Sequence, residues 1–170
     1  MTQIFSPDRS LPTGSFPVVF LAGSIEMGKA IDWQSEISLS LEAISPLVWL
    51  CNPRRLKWDS SWTQSIKNPL FKEQVDWELD HLDRADLAIF YFQPDTLSPI
   101  TLMELGHRLA SQDIRQKTIV ACPDGFWRKG NVEILCARYG IDVLNSLEDL
   151  KEKSSEWVTD VLNPAPIDLF

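Results

Sequence analysis

Cysteine is scarce and unpatterned in this chain. Cys51, Cys122 and Cys136 are the three among 170 residues, none is in a C-x-x-C spacing, and each falls in or near an apolar run. That excludes a disulfide framework and implies a reducing, cytoplasmic compartment. Basic charge is also in short supply, with 16 Lys+Arg against 24 Asp+Glu and a net charge of −8. Affinity for a phosphate backbone comes from Lys/Arg stripes, so a nucleic-acid polymer is excluded as a partner. No apolar run approaches the ~20 residues that span a bilayer, and the opening MTQIFSPDRSLPTGSFP has no basic stretch followed by an apolar one, so membrane insertion and secretion are not expected. The two histidines, His81 and His107, have no second His or Cys at ligand spacing; both are read as surface residues, and no metal or cofactor is expected. The glycine-rich phosphate loop, the G-x-G-x-x-G dinucleotide turn and the G-x-S-x-G nucleophile elbow are all missing. There is no internal repeat.

What is present describes one globular domain. The chain is 44% apolar and 24% charged, and a chain of this size buries roughly 70% of its unfolded surface without staples. Residues 1–16 are read as a loosely held lead-in to a domain over 17–165. Short apolar runs at 18–22, 47–50, 87–92 and 118–121, with a weaker one at 141–144, read as buried strands. Helical stretches lie between them, near 26–43, 70–85, 99–112, 131–139 and 147–162. Strands alternating with helices predict an α/β fold: a three-layer, doubly wound parallel sheet of about five strands, flavodoxin/Rossmann-like. The polar, proline-bounded segment 52–69, with Trp58 and Trp62, is too long for an idle connection.

In such a sheet ligands bind beyond the carboxyl ends of the strands, at the switch in strand order. Gly23, Ser24 and Ile25 follow the first predicted strand and would turn backbone N–H groups toward an anion or sugar hydroxyls; a plain turn is the other reading. On the acidic helix 74–86, Val75, Leu79, Leu82 and Ala85 share one arc at 100° per residue, and Glu78 falls inside it. A carboxylate there must be paired, hydrogen-bonded or neutral. Asp86 closes that helix, as a turn residue or as a ligand. Ser98 before Pro99 marks a helix start. Leu102, Leu105 and Leu109 form that helix's apolar stripe, which leaves Glu104 on the other side, exposed by periodicity but near the strand ends. Gly106 costs helix stability and suggests a close approach. Arg54 and Arg55 would either bind a phosphate or anchor their loop. Trp33, Trp58, Trp62 and Trp77 would either stack on a base or pack in the core.

Several of these residues together resemble a known family. Phe20-Leu21-Ala22-Gly23-Ser24-Ile25, Trp77-Glu78-Leu79 with Ala85-Asp86-Leu87, and Ser98 with Met103-Glu104-Leu105-Gly106 resemble the nucleoside 2-deoxyribosyltransferases and the 2′-deoxynucleoside 5′-phosphate N-hydrolases. The nucleoside 2-deoxyribosyltransferase-like branch is the nearest in pattern. It shares the Asn52-Pro53-Arg54-Arg55 segment with its tryptophans, Gln74-Val75-x-Trp77-Glu78 and Gly130-Asn131-Val132-Glu133, over about residues 17–145. The resemblance implies that Glu104 is the nucleophile and that Glu78, where the family often has Asp, helps protonate the departing base, with Asp86 as a further donor or orienting group. It implies that Ser98 meets the 5′ end of the sugar. Serine there, where transferases commonly have Asp, leans toward a phosphorylated substrate. Phe20 stands where the family has tyrosine. Asn131 is the candidate for a residue lent by a neighbouring subunit, since family members are homo-oligomers.

The expected function is cleavage or transfer of the N-glycosidic bond of a (deoxy)nucleoside or nucleoside 5′-monophosphate through a glutamate nucleophile. The alternative is a non-catalytic nucleotide-binding domain on the same fold.

Overall fold

The computed structural model describes residues 2–10, 16–26, 29–55, 61–111 and 117–164. Six parallel strands, β1 (Thr2–Phe5), β2 (Val18–Gly23), β3 (Trp49–Asn52), β4 (Leu87–Tyr91), β5 (Lys117–Ala121) and β6 (Val143–Leu144), form one sheet in the order β1-β3-β2-β4-β5-β6. Every residue of β2 and β4 is buried, as their unbroken apolar runs require of strands covered on both faces. Five helices cover them: α1 (Trp33–Ile44), α2 (Pro69–Arg84), α3 (Pro99–Ser111), α4 (Lys129–Arg138) and α5 (Leu147–Leu162).

One core layer packs Trp33, Ile37 and Leu41 of α1 and Leu150 and Val158 of α5 against Val19, Leu21, Leu87 and Ile89. The other packs Trp77 and Leu82 of α2, Leu105 and Leu109 of α3, and Val132 and Cys136 of α4 against Phe20, Ala22, Ala88 and Phe90. Alternate residues of each strand thus feed opposite layers. Apart from β1 the chain starts in the middle of the sheet, at β2, steps to β3 on one side and then crosses to β4 on the other. This is the flavodoxin-like order, with its switch point at the carboxyl end of β2.

The sheet has one strand more than expected. Residues 2–5, read as part of a loose lead-in, pair in parallel with β3 from Thr2↔Trp49 to Phe5↔Asn52. Ile4 is buried there, and the indole N–H of Trp77 donates to Asp8 O at 2.6 Å, tying this segment to α2. The first helix begins at Trp33, not near 26, because Asp32 accepts from Ser35 N and caps it. Cys51, Cys122 and Cys136 are buried free thiols whose pKa values burial raises to about 12, 12 and 11, so they behave as small core residues. Among the described residues no three His, Cys, Asp or Glu side chains gather as a metal set, and no helix is long and apolar enough to cross a membrane.

Candidate active site

Three strand ends converge at the switch point: Gly23 of β2, Asn52 of β3 and Tyr91 of β4. Gly23 is required by space. A Cβ there would lie 2.5 Å from Trp33 Cζ2 and 2.6 Å from Tyr91 O. Trp33 is fully buried, its ring 5.6 Å from that of Tyr91, and its indole N–H donates to Ser24 O. The chain therefore leaves β2 in one direction, and Ser24 enters the site 1% exposed.

Ser24 meets the loop after β4 through hydroxyls. Its Oγ lies 2.6 Å from Ser98 Oγ and 2.9 Å from Thr96 Oγ1, and it accepts from Gln93 N at 3.0 Å. Thr96 donates to Gln93 O at 2.8 Å and sits 2.9 Å from Ser98 Oγ. With the Thr96 proton committed to that carbonyl, the Ser98 proton is left to Ser24 or Thr96 Oγ1, while Ser24 Oγ also faces Tyr91 O at 3.5 Å. Ser98 does start α3, since its carbonyl accepts from Leu102 N, but its hydroxyl belongs to this cluster. Its φ of +44° is unusual for a serine, and Glu26 Oε1, accepting from Leu97 N at 2.9 Å and Ser98 N at 2.8 Å, holds it there. Ile25, half-buried, links Ser24 to Glu26.

The two glutamates come from neighbouring helices on one side of the sheet. Glu104 is 6% exposed, in the second turn of α3, which corrects the exposed position expected from its apolar stripe. The buried face of α3 is Thr101, Glu104, Leu105, Arg108 and Leu109, so three polar residues share it with two leucines. Each helical Cβ tilts toward the amino end, which aims Glu104 back toward the site mouth. On α2 the buried residues are Gln74, Trp77, His81 and Leu82, with Glu78 half-buried among them. Gln74 Nε2 donates to Glu78 Oε1 at 2.8 Å and to Pro53 O at 3.3 Å.

Desolvation by burial pushes the Glu78 carboxyl up to about 7, against the pull of the Gln74 bond. Burial pushes Glu104 up to about 8, and the charge of Glu78 adds to the shift. Two carboxyls raised toward neutrality in poorly solvated places are suited to acid and base roles near neutral pH. Arg108, a residue of α3 that the sequence reading passed over, joins the two helices. Buried, it donates to Leu82 O at 2.8 Å, Ala85 O at 2.9 Å and Lys117 O at 3.3 Å, closing the carboxyl end of α2 against α3.

Several expectations are corrected. Asp86 is at the opposite end of the sheet. Its Oδ2 accepts from Val18 N at 2.8 Å, its own N–H donates to Val18 O and its carbonyl accepts from Lys117 N, so it clamps the amino ends of β2, β4 and β5. A five-residue strand puts ~16 Å between it and the carboxyl edge, and it takes no part in the site. Gly106 meets no close neighbour, because its face of α3 looks outward. His81 is buried, not on the surface. It stacks on Trp77 with centroids 4.2 Å apart and bonds Trp77 O through Nδ1, and burial lowers its pKa.

His107 is exposed beside Asp83, 2.7 Å away. Trp33 and Trp77 are core residues, Trp58 lies outside the described residues, and Trp62 is half-buried under the Arg55 guanidinium at 4.8 Å. Arg54 donates to Ala30 O and Ile31 O, and Arg55 reaches Gln74 Oε1 and Glu73, so both anchor the segment after β3. Phe20 is fully buried against Trp77. Asn131 is exposed on the first turn of α4, at the rim of a groove lined by Leu102, Leu105, Trp127 and Val132.

Comparison with known proteins bears on the fold and the family. A conserved protein from Enterococcus faecalis V583 superposes with a TM-score of 0.57 at 12% identity, covering 84% of this chain and 99% of that one. The CMP N-glycosidase BcmB of Clostridium botulinum does so with a TM-score of 0.51 at 20% identity, covering 82% of this chain and 98% of that one. At these identities the likeness is one of fold. No curated protein matches the sequence. The family model for nucleoside 2-deoxyribosyltransferase-like proteins matches residues 17–126, from the start of β2 through the loop before α4, leaving Asn131 beyond it. That stretch is more than half of the chain and carries Ser24, Glu78, Ser98 and Glu104, and on it the chain belongs to the nucleoside 2-deoxyribosyltransferase-like family.

Proposed function

We propose that this protein cleaves or transfers the N-glycosidic bond of a (deoxy)nucleoside or nucleoside 5′-monophosphate, with Glu104 as nucleophile and Glu78 as proton donor. The observation that carries the reading is a buried Glu104 within electrostatic reach of Glu78, both raised toward neutrality. One proton shared by two carboxyls supplies one nucleophile and one acid. At rest the higher value leaves the proton on Glu104; the positive charge that develops at the anomeric carbon of a bound sugar would favour its ionised form and pass the proton to Glu78. A Glu104 oxygen forms an ester bond to C1′ while the C1′–N bond breaks, its electron pair leaving with the base, which takes the proton from Glu78. Water or a second base then attacks C1′, giving up a proton to the Glu78 carboxylate, and releases Glu104, with net retention. Ser24, Ile25 and Ser98 would meet the sugar, and Trp62, half-buried beside Arg55, would lie against a base.

The site would be completed by a second copy of the chain, with Asn131 reaching across. The outward apolar side chains Leu97, Ile100 and Met103 before and on α3, with Trp127 and Ile134, favour such a homo-oligomer. Chromatography of base release and base exchange, with intact mass spectrometry for a sugar ester, tests the chemistry. Wild type should release base and Glu104→Gln should lose at least ~10³-fold in rate. Equal turnover by both overturns the nucleophile assignment, and ligand binding without release favours the binding-domain alternative.

A further inference from the structure

On the N-glycosidic reading, the 5′ end of the sugar would meet a place where the chain already sets a carboxylate, that of Glu26. From Ser98 to Glu104 is six residues, ~9 Å along α3, and the backward tilt of the Glu104 side chain shortens the gap to about the length of a furanose and its C5′. A sugar with C1′ at Glu104 therefore reaches toward Leu97 and Ser98. Backbone N–H groups at a helix start are where a phosphate would bind. Here Leu97 N and Ser98 N both donate to Glu26 Oε1, at 2.9 and 2.8 Å. Glu26 and Ser98 face each other with left-handed backbones, φ 47° and 44°, so this contact is built into both loops.

Among the described residues, the arginines of the loops around the site are engaged elsewhere. Arg54 and Arg55 are engaged with the backbone, Gln74, Glu73 and Trp62, and Arg128 lies flat over Trp127, whose indole N–H donates to Leu97 O.

We infer that Glu26 sets substrate choice at the 5′ position, selecting a free hydroxyl over a phosphate. It occupies the two N–H donors that a phosphate would use and repels the phosphate charge, while its carboxylate and the Ser98 hydroxyl are suited to a neutral 5′-OH. The inference rests on the N-glycosidic reading above, and it runs against the phosphorylated substrate that Ser98 suggests by resemblance.

The test compares kcat/KM for 2′-deoxynucleosides and their 5′-monophosphates in wild type, Glu26→Gln and Glu26→Ala. Glutamine keeps an acceptor for both N–H groups and removes only the charge, so folding is preserved, as a melting curve would verify. Wild type should favour the nucleoside, with a preference that weakens as salt rises. Glu26→Gln should move the ratio toward the monophosphate by roughly tenfold or more, and Glu26→Ala further, since it also frees the donors. A wild type that favours the monophosphate, or a ratio that neither variant moves while turnover persists, overturns the role of Glu26 alone. No base release from either compound by the wild type overturns the N-glycosidic reading and this one with it.

Discussion

Replacing Glu104 by glutamine should flatten the dependence of stability on pH. The carboxyl is pushed from its ordinary 4.5 to about 8, first by burial and then by the Glu78 charge. Between those two values the folded protein keeps a proton that the unfolded chain has lost, so stability falls as pH rises, by about 1.4 kcal/mol per pH unit. Below the unfolded value the penalty is absent, and above about pH 8 it is complete, at roughly 5 kcal/mol. Glutamine has the same shape and no charge. Its buried amide costs a further ~1–3 kcal/mol at every pH, so the slope and not the offset carries the comparison. Urea unfolding followed by tryptophan fluorescence, from pH 5 to 9, measures it. The wild type should lose stability steadily toward pH 8 while Glu104→Gln loses much less. Glu78→Gln should flatten part of the same curve, because it removes both its own titration and its repulsion of Glu104, and the two effects should not add. Parallel curves for wild type and Glu104→Gln would refute the claim that Glu104 is a desolvated carboxyl, and with it the shared proton.

Two further outcomes follow from the packing. Gly23→Ala should lower stability by about 3 kcal/mol or more, read as a fall in Tm, because its Cβ meets a buried indole and a backbone carbonyl, neither free to move. Asp86→Ala should cost about 1–2 kcal/mol in urea unfolding, since Val18 N loses a charged acceptor, yet leave kcat for base release unchanged, in contrast to Glu78→Gln.

Much of the architecture was legible in local pattern. The runs at 18–22, 87–92 and 118–121 became β2, β4 and β5 with little shift, because a strand buried on both faces must be apolar throughout. β1 was not legible, since an edge strand of four residues with two exposed side chains has no such run. The site was half legible. Glu78 stood out because it interrupts an apolar arc, but apolar residues alone misplaced the buried face of α3. Thr101, Glu104 and Arg108 recur in phase with Leu105 and Leu109 at helical spacing, a signal visible only when polar residues are admitted to a buried stripe.

What the sequence by itself determined was the order of strands and helices, the carboxyl-edge location of the site and the residue types placed there, all consequences of local periodicity and of the one-handed crossover. The tertiary structure decided that Glu104 is buried within electrostatic reach of Glu78, that Asp86 belongs to the far end of the sheet, and that Glu26 reaches Leu97 and Ser98 across 71 and 72 residues of chain. Desolvation, charge repulsion and hydrogen-bond geometry depend on distances between elements far apart in sequence, and those distances exist only once the sheet has assembled.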